Sequence, residues 1–391
     1  MNPFVSQVIN VIKKKINLKK NIPLHEPTFE KIDYKLISSC IKSNFVSTAG
    51  KYVSKFEEKL KKYTNSKFVI ATINGTSALH VCLRVLNVNQ NDEILMPSLT
   101  FVGTANAIKY CGATPNFVEI CKEDFGIDHF KLENYLKKTT IIRDGICKNK
   151  FTNKTIKALI CVHIFGNACK IDKIISICKV YKIKVIEDAA EAIGSYYKKK
   201  HLGTLADFGI LSFNGNKTIT TGGGGAILTS NKKMYKRCFK LVNVAKENHP
   251  YEYFYKEVGY NYRMPSINAA LGVSQLKNIN TLINKKRKLY LFYKKTFNNI
   301  NGIKILSENS DNTSNYWLQT LILKGKYKKF KNQIIKNLIK NNFTCRPLWI
   351  PMHKLKHFKS CPKDNLSITN LLYRSCINLP SSPNLLSKII K

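Results

Sequence analysis

Lys217 lies in a polar loop, Ser212-Phe213-Asn214-Gly215-Asn216-Lys217-Thr218-Ile219-Thr220-Thr221, which runs into four glycines, Gly222 to Gly225. Upstream, the apolar run Ile183 to Ile186 delivers Glu187-Asp188-Ala189-Ala190-Glu191. A carboxylate at the end of a buried strand and a lysine in a polar loop are the two groups that pyridoxal phosphate chemistry requires. The amine bonds the aldehyde of the cofactor. The carboxylate keeps the ring nitrogen protonated, so that the ring accepts electrons.

These side chains need a scaffold, and the chain reads as one. Phe68-Val69-Ile70-Ala71 is a buried strand that runs into Asn74-Gly75-Thr76-Ser77 and a helix over Ala78 to Leu86. A small polar turn between strand and helix aims backbone N–H groups at an anion such as a phosphate; an ordinary capped helix has the same look. Further strands are expected at Glu93 to Met96, Pro115 to Val118, Ala158 to His163, Ile183 to Asp188, Phe208 to Phe213 and Ala226 to Thr229. Helices are expected at Thr104 to Cys111 and Ile171 to Tyr181. This alternation predicts an α/β fold with a mostly parallel sheet, whose ligands gather at the carboxyl ends of the strands. Asn74, Phe101, His163, Asp188 and Ser212 all fall at such ends.

After residue 280 the pattern changes to a lysine-rich helix, alternating segments such as Trp317 to Leu323, a helix over Phe330 to Asn341, and Thr344-Cys345-Arg346-Pro347-Leu348-Trp349. The expected division is an extension over 1–21, an N-terminal segment with a large domain over 22–280, and a small domain over 281–391. In the extension, Val5, Val8, Ile9, Ile12 and Ile16 fall near helical spacing with lysines between. That pattern predicts an amphipathic helix, either packed on the protein or lying on a membrane surface.

Two nucleotide motifs fail. Gly215-Asn216-Lys217-Thr218 lacks the glycine directly before the lysine that a P-loop needs, and Gly222 to Gly225 lacks the last glycine of GxGxxG. The formal charge of +41 over 391 residues raises a rival of another class, a nucleic-acid-binding protein. The lysines are scattered, however, and no basic block interleaves with stacking aromatics. The charge is read as surface background, with no specific nucleic-acid partner. Arginine is scarce, which singles out Arg84, Arg263 and Arg346. Twelve cysteines occur without a CxxC pair, which argues against a zinc site or a disulfide scaffold and for reduced core thiols. No apolar run reaches the ~18 residues of a membrane span, and a cytoplasmic location is expected.

Gly75-Thr76-Ser77-Ala78-Leu79, Pro97-Ser98-Leu99-Thr100-Phe101, Glu187-Asp188-Ala189-Ala190-Glu191, Ser212-Phe213 with Lys217, and Gly259-Tyr260-Asn261-Tyr262-Arg263-Met264 follow one another in a familiar order. In this the chain resembles the DegT/DnrJ/StrS family of pyridoxal-phosphate sugar aminotransferases. Ile22-Pro23-Leu24-His25-Glu26-Pro27, Asn44-Phe45-Val46-Ser47, Arg346-Pro347-Leu348-Trp349 with Met352-His353, and Asn378-Leu379-Pro380-Ser381-Ser382 look like its LegC-type branch. That branch makes 4-amino sugars for nonulosonic acids and bacillosamine-like glycans. Gly223 and Glu191 depart from the wider family, where Glu and Gln or His are frequent, and look usual for the branch.

The resemblance implies a fold-type I transferase, aspartate-aminotransferase-like, with a seven-stranded mixed sheet and a smaller domain formed by the N-terminal segment and the chain after 280. It implies that Lys217 holds pyridoxal 5'-phosphate and carries the proton. Asp188 pairs with the ring nitrogen, Glu191 lies near the ring hydroxyl, and Phe101 stacks on the ring. Gly75, Thr76 and Ser212 hold the phosphate. Asn261 reaches the phosphate of a neighbouring subunit, so a homodimer with shared sites is expected. The implied reaction moves an amino group from glutamate to the 4-keto carbon of UDP-2-acetamido-2,6-dideoxy-hexos-4-ulose. The alternatives are a GDP-linked 4-keto sugar, as in perosamine synthesis, and a related dehydratase, against which Lys217 argues. Arg346 and His353 are candidate substrate contacts; the alternative roles are a surface ion pair for Arg346 and a cap for His353.

Overall fold

In the computed structural model, which describes residues 2–16 and 21–390, the apolar runs become the central sheet. Its strands are Phe68–Thr72 (β1), Asp92–Pro97 (β2), Thr114–Val118 (β3), Thr155–Val162 (β4), Lys184–Asp188 (β5), Phe208–Ser212 (β6) and Gly225–Thr229 (β7). They lie in the order β1-β7-β6-β5-β4-β2-β3. β7 is antiparallel to both neighbours, and the remaining pairs are parallel. A hairpin of Thr140–Arg143 and Ile146–Asn149 joins β4 and brings the sheet to nine strands, two beyond the expected seven.

Successive residues of these strands serve opposite cores. Leu95, Leu159, Cys161, Val185 and Leu211 enter one, while Ile94, Met96, Ile160, Ile186 and Ile210 enter the other. Helices Lys51–Thr64 and Ile171–Val180 cover the first face; Gly75–Val85, Val102–Tyr110 and Lys232–Val242 cover the second. With both faces buried, a strand needs apolar side chains at nearly every position. That is why these runs are legible without clean alternation.

The expected boundary near 280 falls inside one unbroken helix, Ser266–Phe297. Its first half packs Ala269, Ala270, Val273 and Leu276 into the large core. Its second half packs Leu289, Tyr290, Tyr293 and Phe297 into a third core. The core changes along the helix, and no linker marks the change. The third core lies under a small antiparallel sheet of Ile303–Ile305 (β8), Gln319–Leu323 (β9), Arg346–Pro347 (β10) and Cys376–Leu379 (β11), ordered β8-β9-β11-β10.

The expected extension packs on this third core. Helix Pro3–Lys13 buries Val5, Val8, Ile9 and Ile12 in the third core. Ile16 then bridges to Ile389, and Ile22 to Phe343. The apolar face of the helix is therefore covered by protein, not left for a membrane surface. Residues 1 and 17–20 of the expected extension lie outside the described residues. Among the described residues, no helix is long and apolar enough to cross a membrane.

Candidate active site

A pocket of about 310 Å³ opens at the carboxyl ends of the parallel strands. Gly75, Thr76, Phe101, Asp188, Glu191, Ser212 and Lys217 all line it. They arrive from four strand ends and the loops behind them: Gly75 and Thr76 after β1, Phe101 after β2, Asp188 and Glu191 at β5, and Ser212 and Lys217 at β6. The structure thus brings together seven of the ten residues singled out from the sequence.

Asp188 ends β5 and is almost wholly buried. Its Oδ2 accepts a hydrogen bond from Thr104 Oγ1 at 2.8 Å, and Oδ1 accepts from Ala190 N at 3.2 Å. Burial dominates and raises its proton affinity; those two hydrogen bonds and the nearby Lys217 act in the opposite direction. Such a carboxylate gains most from a cationic partner that replaces the lost water.

Lys217 sits in the loop between β6 and β7, where its N–H donates to Asn214 O. Its Nζ lies 3.5 Å from Glu191 Oε1 and 4.0 Å from the centre of the Trp317 ring. Trp317 is held by its indole N–H, which donates to Asn216 O at 2.7 Å. Burial pushes the Glu191 carboxyl up to about 7, against the pull of Lys217 and of the Phe165 N–H.

The pocket wall opposite is a helix N-terminus. Asn74 caps helix Gly75–Val85 by accepting from Ser77 N. The amides of Gly75 and Thr76 have no intrahelical acceptor, as in any first turn, and they face the pocket end of the helix. Glycine is required around them. A Cβ on Gly225 would stand 2.6 Å from Gly75 N, and one on Gly103 would stand 2.7 Å from Thr76 Oγ1. A Cβ on Gly75 would meet Ser212 Cβ at 3.2 Å, inside the cradle that Gly75, Thr76 and Ser212 make. Phe101 caps helix Val102–Tyr110 and leaves its side chain 56% exposed, far from the core aromatic it would otherwise be.

An amine, a buried carboxylate in want of a cation, an anion cradle and an open aromatic face fit a flat, cationic, phosphorylated ring. The donor set therefore suits pyridoxal phosphate.

Three expected residues lie elsewhere. Asn261 is exposed and bridges Asn243. Arg346 is exposed on β10, where its guanidinium donates to Cys345 O. His353 Nδ1 lies 2.7 Å from Ser98 Oγ, beside the segment that carries Phe101. Neither Arg346 nor His353 lines the pocket. Arg263, also singled out for its rarity, pairs with Glu57 below β1. Thr104, Trp317 and Trp349 line the pocket and were not anticipated. A signal for the last two existed, since the chain has two tryptophans and both are here.

A lysine and a buried acid in one pocket over a mostly parallel sheet, beside a helix N-terminus, suit a pyridoxal-phosphate-dependent transferase of fold type I. Residues 27–391 match the DegT/DnrJ/EryC1/StrS aminotransferase family, and the chain belongs to it. It is a pyridoxal-phosphate-dependent sugar aminotransferase. GDP-perosamine synthase of Escherichia coli O157:H7 is 34% identical over 368 residues, 94% of each chain. A Campylobacter jejuni UDP-4-amino-4,6-dideoxy-N-acetyl-beta-L-altrosamine transaminase is 33% identical over 304 residues, covering 77% of this chain and 72% of its own. The PLP form of the sugar aminotransferase Spr1654 from Streptococcus pneumoniae superposes with a TM-score of 0.82 at 25% identity, covering 93% and 94% of the two chains. Family membership decides for an enzyme over the nucleic-acid-binding rival.

Proposed function

We propose that the chain transfers an amino group from glutamate to the 4-keto carbon of a nucleotide-linked 6-deoxyhexos-4-ulose. The observation that carries this reading is the convergence of Lys217, Asp188 and the Gly75–Thr76–Ser212 cradle on one pocket. Pyridoxal phosphate, when bound, supplies an electron sink for the carbon that loses its proton. The protein's own residues do the rest. Asp188, oriented by Thr104 and Ala190, presents a carboxylate to the ring nitrogen. Gly75, Thr76 and Ser212 hold the phosphate, and Phe101 covers the ring face. Lys217 moves the proton between substrate and cofactor carbons, with Glu191 beside its nitrogen to stabilise the charged amine. Trp317 and Trp349 line the pocket and add apolar wall to it. His353, through Ser98, steadies the segment that presents Phe101.

UDP-2-acetamido-2,6-dideoxy-hexos-4-ulose is the favoured acceptor, in line with the LegC-type motifs and the Campylobacter relative. A GDP-linked 4-keto sugar is the second reading, favoured by the perosamine synthase matched over 94% of both chains. Mass spectrometry of products from UDP-, GDP- and dTDP-linked 4-keto sugars with glutamate decides. A 4-amino product from the UDP sugar alone confirms the first reading, and no amino sugar from any of them ends the proposal. In a homodimer with shared sites, Asn261 serves the partner's phosphate. Refolding Lys217→Ala with an Asn261 variant then restores about a quarter of the sites, and no gain over the separate variants places Asn261 outside the active site.

A further inference from the structure

Beneath the pocket floor, on the other side of the strand ends, lies a cluster that the transamination does not use. Cys161 lies in β4 and His163 one residue past its end, two positions apart, so their side chains share a face. The chain then turns sharply, with Phe165 at φ 55° and Gly166 at φ 87°, and brings Cys169 back over His163. Gly166 is irreplaceable in that turn, because a Cβ would stand 2.0 Å from Asn315 Oδ1. The two sulfurs and an imidazole nitrogen lie within 4.8 Å of one another, and all three residues are fully buried. Among the described residues this is the one group of three or more such donors so placed.

We propose that Cys161, His163 and Cys169 bind one zinc ion. The imidazole is set for it. His163 Nε2 lies 3.0 Å from Glu187 Oε2. That carboxylate also accepts from the amides of Gly203, Leu205 and Ala206 and can only accept, so Nε2 carries the proton. Nδ1 is left with its lone pair towards Cys169 Sγ, 3.7 Å away. In a tetrahedral site with Zn–S near 2.3 Å and Zn–N near 2.05 Å, the S···N edge is about 3.6 Å. A carboxylate behind a histidine ligand is the usual outer support of such sites.

Charge selects the ion. Two thiolates and a neutral imidazole balance a divalent cation, whereas a monovalent soft ion would leave a net negative charge in a dry interior. Binding releases two thiol protons to solvent and moves no electrons. Because His163 N also donates to Asp188 O at 3.1 Å, the ion would lock β4 to β5 directly under the pocket. The competing arrangement is a set of plain thiol hydrogen bonds, Cys161 to Ile186 O at 3.5 Å and Cys169 to His163.

The test uses the cofactor-loaded enzyme, produced in zinc-supplemented medium under reducing conditions and also refolded with Zn²⁺. Zinc is counted by mass spectrometry after passage over a weak chelator. Wild type and the control Cys178→Ser, a buried thiol outside the cluster, should retain about one ion per chain. Cys161→Ser and Cys169→Ser should retain almost none, and zinc should raise the melting temperature of wild type and control alone by several degrees. Should the serine variants fail to fold, zinc-edge absorption on wild type settles the matter, with sulfur and nitrogen in the first shell expected. Zinc absent from wild type, equal zinc in all four proteins, a first shell without sulfur, or a Cys161–Cys169 disulfide in the peptide map would each overturn the site.

Discussion

Lys217 and Lys286 are both largely withdrawn from water, and their surroundings separate chemistry from architecture. Lys217 keeps 12% of its side chain exposed, faces an open pocket, and has the Glu191 carboxylate beside it. Lys286 is fully buried on the long helix, between Ile283 of the first core and Leu289 of the third. Its Nζ lies 2.8 Å from His25 Nε2 and donates to Ser381 O at 2.8 Å. Burial holds the Lys286 amine well below the usual lysine range, and burial with the neighbouring Lys286 and Lys217 does the same to His25. The two side chains form a hydrogen-bonded stitch between the N-terminal segment, the long helix and the Pro380–Ser382 turn. Displaced proton affinity alone does not mark a catalytic lysine. Free volume beside the nitrogen and an exchangeable partner do.

The largest effect should come from breaking the catalytic side of that contrast. Lys217→Ala should lower turnover by about four orders of magnitude or more, since in the proposed mechanism it removes both the covalent anchor and the proton carrier. Borohydride treatment of wild type should fix the cofactor on the peptide containing Lys217, and that adduct should vanish in the variant. Recovery of the adduct on the Lys286 peptide would invert the assignment.

Next comes Asp188→Asn, which keeps Lys217 and the hydrogen bond from Thr104 but removes the charge facing the ring nitrogen. Turnover should fall about 10²- to 10³-fold with little change in substrate affinity. Near-wild-type turnover would free Asp188 from its assigned role.

A smaller effect tests the partner of Lys217. Glu191 titrates near 7, above the ordinary carboxyl range, because burial outweighs the nearby amine. Below that pH the carboxyl is protonated and no longer stabilises a charged amine, so kcat/KM should rise as pH passes through about 7. Glu191→Gln should flatten that limb. A limb that persists unchanged in the variant would belong to another group.

The same contrast shows how much the sequence discloses. Lys217 and Asp188 are legible because each stands beside a buried strand whose apolar run ends abruptly, and strand ends are local features. Trp317 and Thr104 reach the pocket through contacts between residues far apart in sequence, Thr104 bonding Asp188 and Trp317 lying over Lys217. No short-range pattern encodes such pairings. The domain change near 280 is visible as a change in composition, yet the helix that crosses it keeps its hydrogen bonds and hides the transition. Lys286 reads as one more surface lysine in a lysine-rich helix. The Cys161–His163–Cys169 cluster escapes a search for CxxC spacing because a tight turn, not a short interval, closes it.

The smallest expected effect sharpens the architectural side. Lys286→Met fills a similar volume and should leave turnover close to wild type, because Lys286 does not line the pocket. It strips Ser381 O and His25 Nε2 of their partner, which costs about 1–3 kcal/mol, offset in part by removing an amine that resists burial. The pH dependence isolates the second quantity. In the folded state the amine is deprotonated well below its ordinary range, while the unfolded chain keeps the proton up to about 10.4. The unfolded state thus binds more protons over that interval, and wild-type stability rises with pH there. Methionine carries no proton and lacks this slope. Urea unfolding at several pH values between about 7 and 10 should show the wild type gaining on the variant, by at most ~1.4 kcal/mol per pH unit. A constant difference across that range would mean that Lys286 is charged in the folded protein, and the distinction between the two lysines would then rest on pocket geometry alone.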